Sequence, residues 1–119
     1  MTSDELQLFD LIDAARVDNG CAPLEQDPGL TKSARSDAEQ RSESTRNLNQ
    51  NGPSMSAAGG DEFTAQQAFN KMMSQSRSTI LNCNLSTLAV GLGTTEYCKV
   101  PLLCLTGTTD RNAWVADFT

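Results

Sequence analysis

Four cysteines and no histidine set the chemistry open to this chain. Cys21, Cys83, Cys98 and Cys104 are an even set in 119 residues, and none has the Cys-x-x-Cys spacing of a zinc ribbon or a thioredoxin-like site. With no imidazole to complete a mixed zinc site, they read as two disulfides. Cys98 and Cys104 flank Lys99-Val100-Pro101-Leu102-Leu103, a spacing that closes a local loop, which leaves Cys21 to pair with Cys83; four cysteines allow three pairings in all. Oxidised cysteines imply an extracellular, periplasmic or cell-wall setting. The missing imidazole also removes any Ser-His or Cys-His pair and any side chain that titrates unperturbed near neutrality. Acid–base work would fall to two carboxylates whose pKa values are separated by burial.

The elements that must position these residues have to come from a lean composition. Residues are 38% hydrophobic and 5% aromatic, so the core must be compact and aliphatic. The length fits one domain over residues 1–119 with little margin for a larger core, which gives covalent cross-links a stabilising role. Nine Lys and Arg against fifteen Asp and Glu give a net charge of -6, and the basic residues are scattered, which excludes the clustered cations that nucleic acid binding needs. The Met-Thr-Ser-Asp-Glu start has neither the basic nor the apolar region of a signal peptide, so the sequence reads as the mature segment of an exported protein. No apolar run reaches the roughly 20 residues of a membrane span. A soluble monomer with no cofactor is expected.

Thr2 and Glu5 form a capping-box pair ahead of Leu8, Leu11, Ile12 and Ala15, and Asn19-Gly20 ends that helix. Asp27-Pro28 starts a second helix whose inward stripe is Leu30, Ala34 and Ala38, with Asp37 on or beside it. From about Gln40 to Asp61 the sequence is rich in Ser, Asn, Gln and Gly with no sustained period, and a long polar surface loop is expected there. Thr64 and Gln67 cap a third helix carrying Ala65, Ala68, Phe69, Met72 and Met73. The period then changes to strand alternation at Leu88, Val90 and Leu92, a short apolar run over 100–105, and alternation again at Trp114, Ala116 and Phe118. Helices first and strands last predict an α+β fold with a small antiparallel sheet.

Several strings, in order, resemble CAP (SCP/PR-1-like, cysteine-rich secretory protein) domains. Leu8 to Arg16, then Asn19-Gly20-Cys21-Ala22-Pro23-Leu24 and Asp27-Pro28-Gly29-Leu30, are similar to that family's first helix, turn and second-helix start. Ser33 to Glu39, Ser76 to Asn82, Ala89 to Gly93 and Ala113 to Phe118 match later segments. The resemblance implies a three-layer α-β-α sandwich. It also implies a cleft where many members hold two histidines and two glutamates able to bind a metal. Here Asp37 and Ser76 stand at the matching histidine positions, and Gly60-Asp61-Glu62 is what remains of the Gly-Glu-Asn-Ile segment. Asp37, Glu62, Ser76 and Arg77 are therefore the ligand-cleft candidates, with no metal and no catalytic residue assigned, because carboxylate and hydroxyl do not replace imidazole for a transition metal. Asp37 is expected to contact the Ser76-Arg77 segment, Arg77 to pair with Asp37 or the last strand, and Ser76 to serve as a helix-end or turn hydroxyl. The function implied is a non-enzymatic, secreted binding module with a lipid or protein partner near Met55, Phe63 and Phe69. The alternatives are a hydrolase using Asp37 and Glu62, or a purely structural domain of a longer envelope protein.

Overall fold

A computed structural model describes residues 1–99, 104 and 107–119. Three helices, α1 (Ser3–Asp18), α2 (Pro28–Ser44) and α3 (Ala65–Ile80), surround a sheet of β1 (Glu25–Gln26), β2 (Gln50–Asn51), β3 (Met55–Asp61), β4 (Thr87–Tyr97) and β5 (Thr109–Phe118). Both capping boxes form: the Glu5 N–H donates to Thr2 Oγ1 at 3.2 Å and the Gln67 N–H to Thr64 Oγ1 at 3.1 Å. Asp27 Oδ1 accepts from the Gly29 and Leu30 N–H groups and starts α2.

The strand order is β1-β4-β5-β3-β2, antiparallel except for the parallel β1–β4 pair. Alternation assigns the two faces. Leu88, Val90, Trp114, Ala116 and Phe118 face α1 and α3 and pack with Leu8, Ile12, Met72 and Ile80. Ala57, Ala89 and Val115 face α2 and pack with Ala34 and Ala38. This is the α+β, α-β-α sandwich expected from the sequence. The small stripe of α2 lets its backbone lie directly on β4. A Cβ at Gly91 would overlap the Ala34 carbonyl carbon, and one at Gly93 the Glu39 nitrogen. Glycine is required at both by close approach rather than by backbone angle.

The long loop expected over 40–61 is replaced largely by regular structure. α2 continues to Ser44 and turns at Thr45, whose φ is 59°. Residues 55–61 form an inner strand, paired in register from Met55↔Asp117 to Asp61↔Arg111. Its Ser-Ala-Ala-Gly-Gly side chains are too small to show an apolar period, yet Ser56, Ala57 and Ala58 are fully buried between helices. The strand over Leu88–Leu92 and that over Trp114–Phe118 form as expected, whereas the apolar run over 100–105 lies outside the described residues apart from Cys104. Cys21 is bonded to Cys83 and Cys98 to Cys104, the pairing read from the spacing.

Candidate functional site

The four cleft candidates do not meet. Asp37 lies on the α2 side, where Arg41 Nε, one turn on, donates to its Oδ1 at 2.9 Å. Arg41 also donates through Nη1 to the Asn47 carbonyl at 2.6 Å and to Gln50 Oε1 at 2.7 Å, fastening the end of α2 to the β2 approach. Ser76 lies in the other helical layer. Its backbone is non-helical, at φ -132° and ψ 31°, and kinks α3 so that its buried hydroxyl accepts from Ser56 Oγ at 2.8 Å. Ser56 and Asp117 belong to opposite faces of the sheet, so the sheet itself separates the Ser76 contact from the Asp37 side.

Glu62 is held elsewhere again. It follows β3 with φ 53°, and its carboxylate accepts from the Asp110 N–H at 3.0 Å while its own N–H donates to the Asp110 carbonyl at 2.7 Å. The charge of Asp37 is felt at Asp117, seven positions along β5 from Asp110 and so about 23 Å away along the strand. Arg77 makes no ion pair among the described residues; it lines a surface groove of about 280 Å³ with Ala15, Asp18, Asn19, Met73 and Leu81 between α1 and α3. The expected Asp37–Arg77 pairing is thus corrected: Arg41, one turn along α2, holds Asp37, and α3 lies across the sheet. The acidic pair Asp37 and Glu62 is not assembled. Met55 packs on the α2 cluster, and Phe63 and Phe69 on the main core.

One carboxylate is perturbed upward. Half-buried Asp117 is raised by desolvation first and by the Asp37 charge second, with Arg41 partly opposing. No group of three His, Cys, Asp or Glu that could hold a metal ion occurs among the described residues. No helix among them is long and apolar enough to cross a membrane.

Two buried charged residues organise the scaffold. Glu5 is fully buried and accepts from Arg35 Nη2 at 2.6 Å, Arg35 Nε at 3.0 Å, the Thr2 N–H at 2.8 Å and the Leu92 N–H at 3.0 Å. Burial pushes its pKa up, but these four hydrogen bonds and the Arg35 charge outweigh it and hold the group at about 2. Because β1 covers β4 only at Thr87 and Leu88, the Leu92 N–H faces the sheet edge, and Glu5 satisfies it. Arg16, 1% exposed, donates to the carbonyls of Ile80 at 2.9 Å, Asn82 at 3.0 Å and Leu85, and lies 5.6 Å from the Phe118 ring centroid. A cation there complements the carbonyl end of α3. The sequence did carry a signal for both: positions 5, 8, 12 and 16 fall on one helical stripe, so two charges sit among inward apolar residues.

At the far end of the sheet Tyr97 Oη donates to Asp61 Oδ1 at 2.7 Å, Lys99 Nζ lies 3.6 Å from Asp61 Oδ2, and Arg111 stacks 4.2 Å from the Tyr97 ring centroid. The Tyr97 hydrogen bond is the largest cause of a lowered Asp61 pKa.

No family model matches the sequence. No curated protein matches it either. Solved structures do. MpPR-1i superposes with a TM-score of 0.71 at 18% identity over 99% of this chain and 89% of its own. A second structure of MpPR-1i, soaked with selenourea, gives 0.63 at 20% identity over 99% and 93%. Venom allergen-like protein 4 of Schistosoma mansoni gives 0.53 at 12% identity over 100% and 91%. With superpositions that cover nearly the full length of both chains, the chain has the CAP-like fold of the PR-1 and venom allergen-like proteins.

Proposed function

We propose that this chain is a non-enzymatic, extracytoplasmic interaction module that binds a protein partner on a CAP-like scaffold without the metal site. The observation that carries the reading is the dispersal of the cleft positions: Asp37 is paired to Arg41 on one side of the sheet, and Ser76 is buried against Ser56 on the other. Ser76 is closed off by burial, and Asp37, whose side chain stays 37% exposed, spends one oxygen on Arg41, so the two do not face one opening. Two disulfides support an oxidising compartment. A protein partner is favoured over a lipid because the two described surface grooves, of about 280 and 240 Å³, are lined in part by charged side chains rather than by a continuous apolar wall.

Native mass spectrometry of protein purified from its own host, with and without reduction, tests this reading. The expected species are the oxidised chain free of lipid and metal and a noncovalent complex with a second protein. A stoichiometric lipid or metal adduct overturns it.

A further inference from the structure

Of the eight asparagines, Asn84 alone is followed two positions later by serine or threonine, in Asn84-Leu85-Ser86, and the intervening residue is not proline. This is the acceptor pattern for N-linked glycosylation, and it is used where the asparagine lies on the surface of an exported protein. We propose that Asn84 carries an N-linked oligosaccharide in the exported protein.

The local structure has the three properties that such a site needs. First, Asn84 is exposed in the turn that joins α3 to β4, immediately after Cys83. Second, its side chain is not used by the fold. The turn is held by Asn82, whose Oδ1 accepts the Asn84 N–H at 3.0 Å, and no hydrogen bond among the described residues engages the Asn84 amide group. Third, the middle residue anchors the tripeptide while its neighbours face outward. Leu85 packs against the main core and its carbonyl accepts from Arg16, whereas Asn84 and Ser86 are both exposed. A glycan on Asn84 therefore displaces nothing from the core.

The order of synthesis favours the modification as well. The Ser86 and Thr87 N–H groups donate to the Thr119 carbonyl at 2.7 and 3.0 Å, and Thr119 follows β5. Until that strand has been made, the Ser86 N–H lacks its Thr119 partner and the chain after Leu85 is not yet fastened to the sheet, which leaves the tripeptide open to a transferase acting on the emerging chain. Asn19-Gly20-Cys21 offers a sulfur version of the pattern, but Cys21 is buried and bonded to Cys83, and Asn19 Nδ2 reaches the Leu81 carbonyl.

In the transfer, Asn84 Nδ2 attacks the anomeric carbon of an oligosaccharide carried on a lipid pyrophosphate. The C–N bond forms, the C–O bond to the pyrophosphate breaks with its electron pair leaving on the pyrophosphate, and the amide gives one proton to the transferase. The sugar then projects from the Thr87 end of β4. The Tyr97 end, ten positions on and about 33 Å away along the strand, stays clear.

The test is the intact mass of the full chain secreted by eukaryotic cells behind a cleavable leader, before and after peptide N-glycosidase treatment in ¹⁸O water. The expected result is a glycan mass that the enzyme removes, leaving an ¹⁸O-labelled aspartate at residue 84. N84Q and S86A are expected to emerge unmodified with both disulfides formed, and S86T modified. Translation into microsomes gives the same readout for any variant that is not secreted, since transfer precedes folding. Wild-type chain that crosses into the lumen and keeps its bare mass, or a glycan that persists in N84Q, overturns the proposal.

Discussion

Replacing Glu5 by glutamine keeps the side chain's shape while removing its charge, and so isolates what this buried carboxylate contributes. Its pKa is held at about 2 against an ordinary value of 4.5. At about 1.4 kcal/mol for each unit, the difference corresponds to roughly 3 kcal/mol of stability near neutral pH. The folded pKa is depressed, so that stability is fully present above pH 4.5 and is lost as the pH falls through 2. The E5Q variant is expected to lose about 3 kcal/mol at pH 7, because Gln still accepts from some of the four donors but no longer pairs with the Arg35 charge. Urea denaturation across this pH range is the assay, with the wild-type and variant curves converging as acid protonates Glu5. A cost below about 1 kcal/mol at pH 7, or a gap that stays constant down to pH 2, would refute the reasoning.

Gly91→Ala drives a methyl group into the α2 backbone and is expected to cost more than about 3 kcal/mol in urea denaturation, since neither backbone can yield without separating helix from sheet. Removing the Cys21–Cys83 bridge, which spans 62 positions, should cost about 4 kcal/mol against about 2 for Cys98–Cys104, which spans 6; paired Cys→Ser variants compared by thermal unfolding read the difference. Asp117 has a raised folded pKa, so folding favours its protonated form below its ordinary value of 3.8 and loses that advantage as the pH rises through the raised one. Asp117→Asn should therefore raise the Tm at neutral pH and lose the gain in acid, as calorimetry at two pH values would show. Restoring imidazole in the D37H/S76H double variant should create no zinc site, because the two positions lie on opposite sides of the sheet; titration calorimetry detecting tight stoichiometric zinc would contradict the layer assignment.

The readable parts of the sequence were those where a single local rule decides the outcome. Thr2 with Glu5, Asp27 with Pro28, and Thr64 with Gln67 place three helix starts correctly because capping is settled within four residues. Leu88, Val90 and Leu92 mark β4 because one face of that strand meets large apolar partners. β3 was hidden for the converse reason. Packed between α3 and α2 as an inner strand of the sheet, it carries mostly Ser, Ala and Gly, whose composition is that of a loop. At Gly59 a Cβ would lie 2.9 Å from the Asn112 carbonyl oxygen, so the feature that makes the segment look like a turn is the one that lets it pair closely.

The misplaced cleft has the same origin at a higher level. The strings around Asp37 and Ser76 resemble the family's histidine segments, but a short string carries no information about which face of the sheet its residues meet. That is decided by the neighbours each side chain finds. Asp37 has a cation four residues away on its own helix, the spacing at which side chains on one helix face are adjacent, and this contact needs no tertiary partner. Ser76 sits where α3 breaks its regular geometry, and the break turns its hydroxyl inward to Ser56, a residue on a strand the sequence did not reveal. The buried polar groups Glu5, Arg16, Ser42, Ser56, Ser76 and Thr79 are all hydrogen-bonded, and Glu5, Ser42 and Ser76 tie helices directly to the sheet.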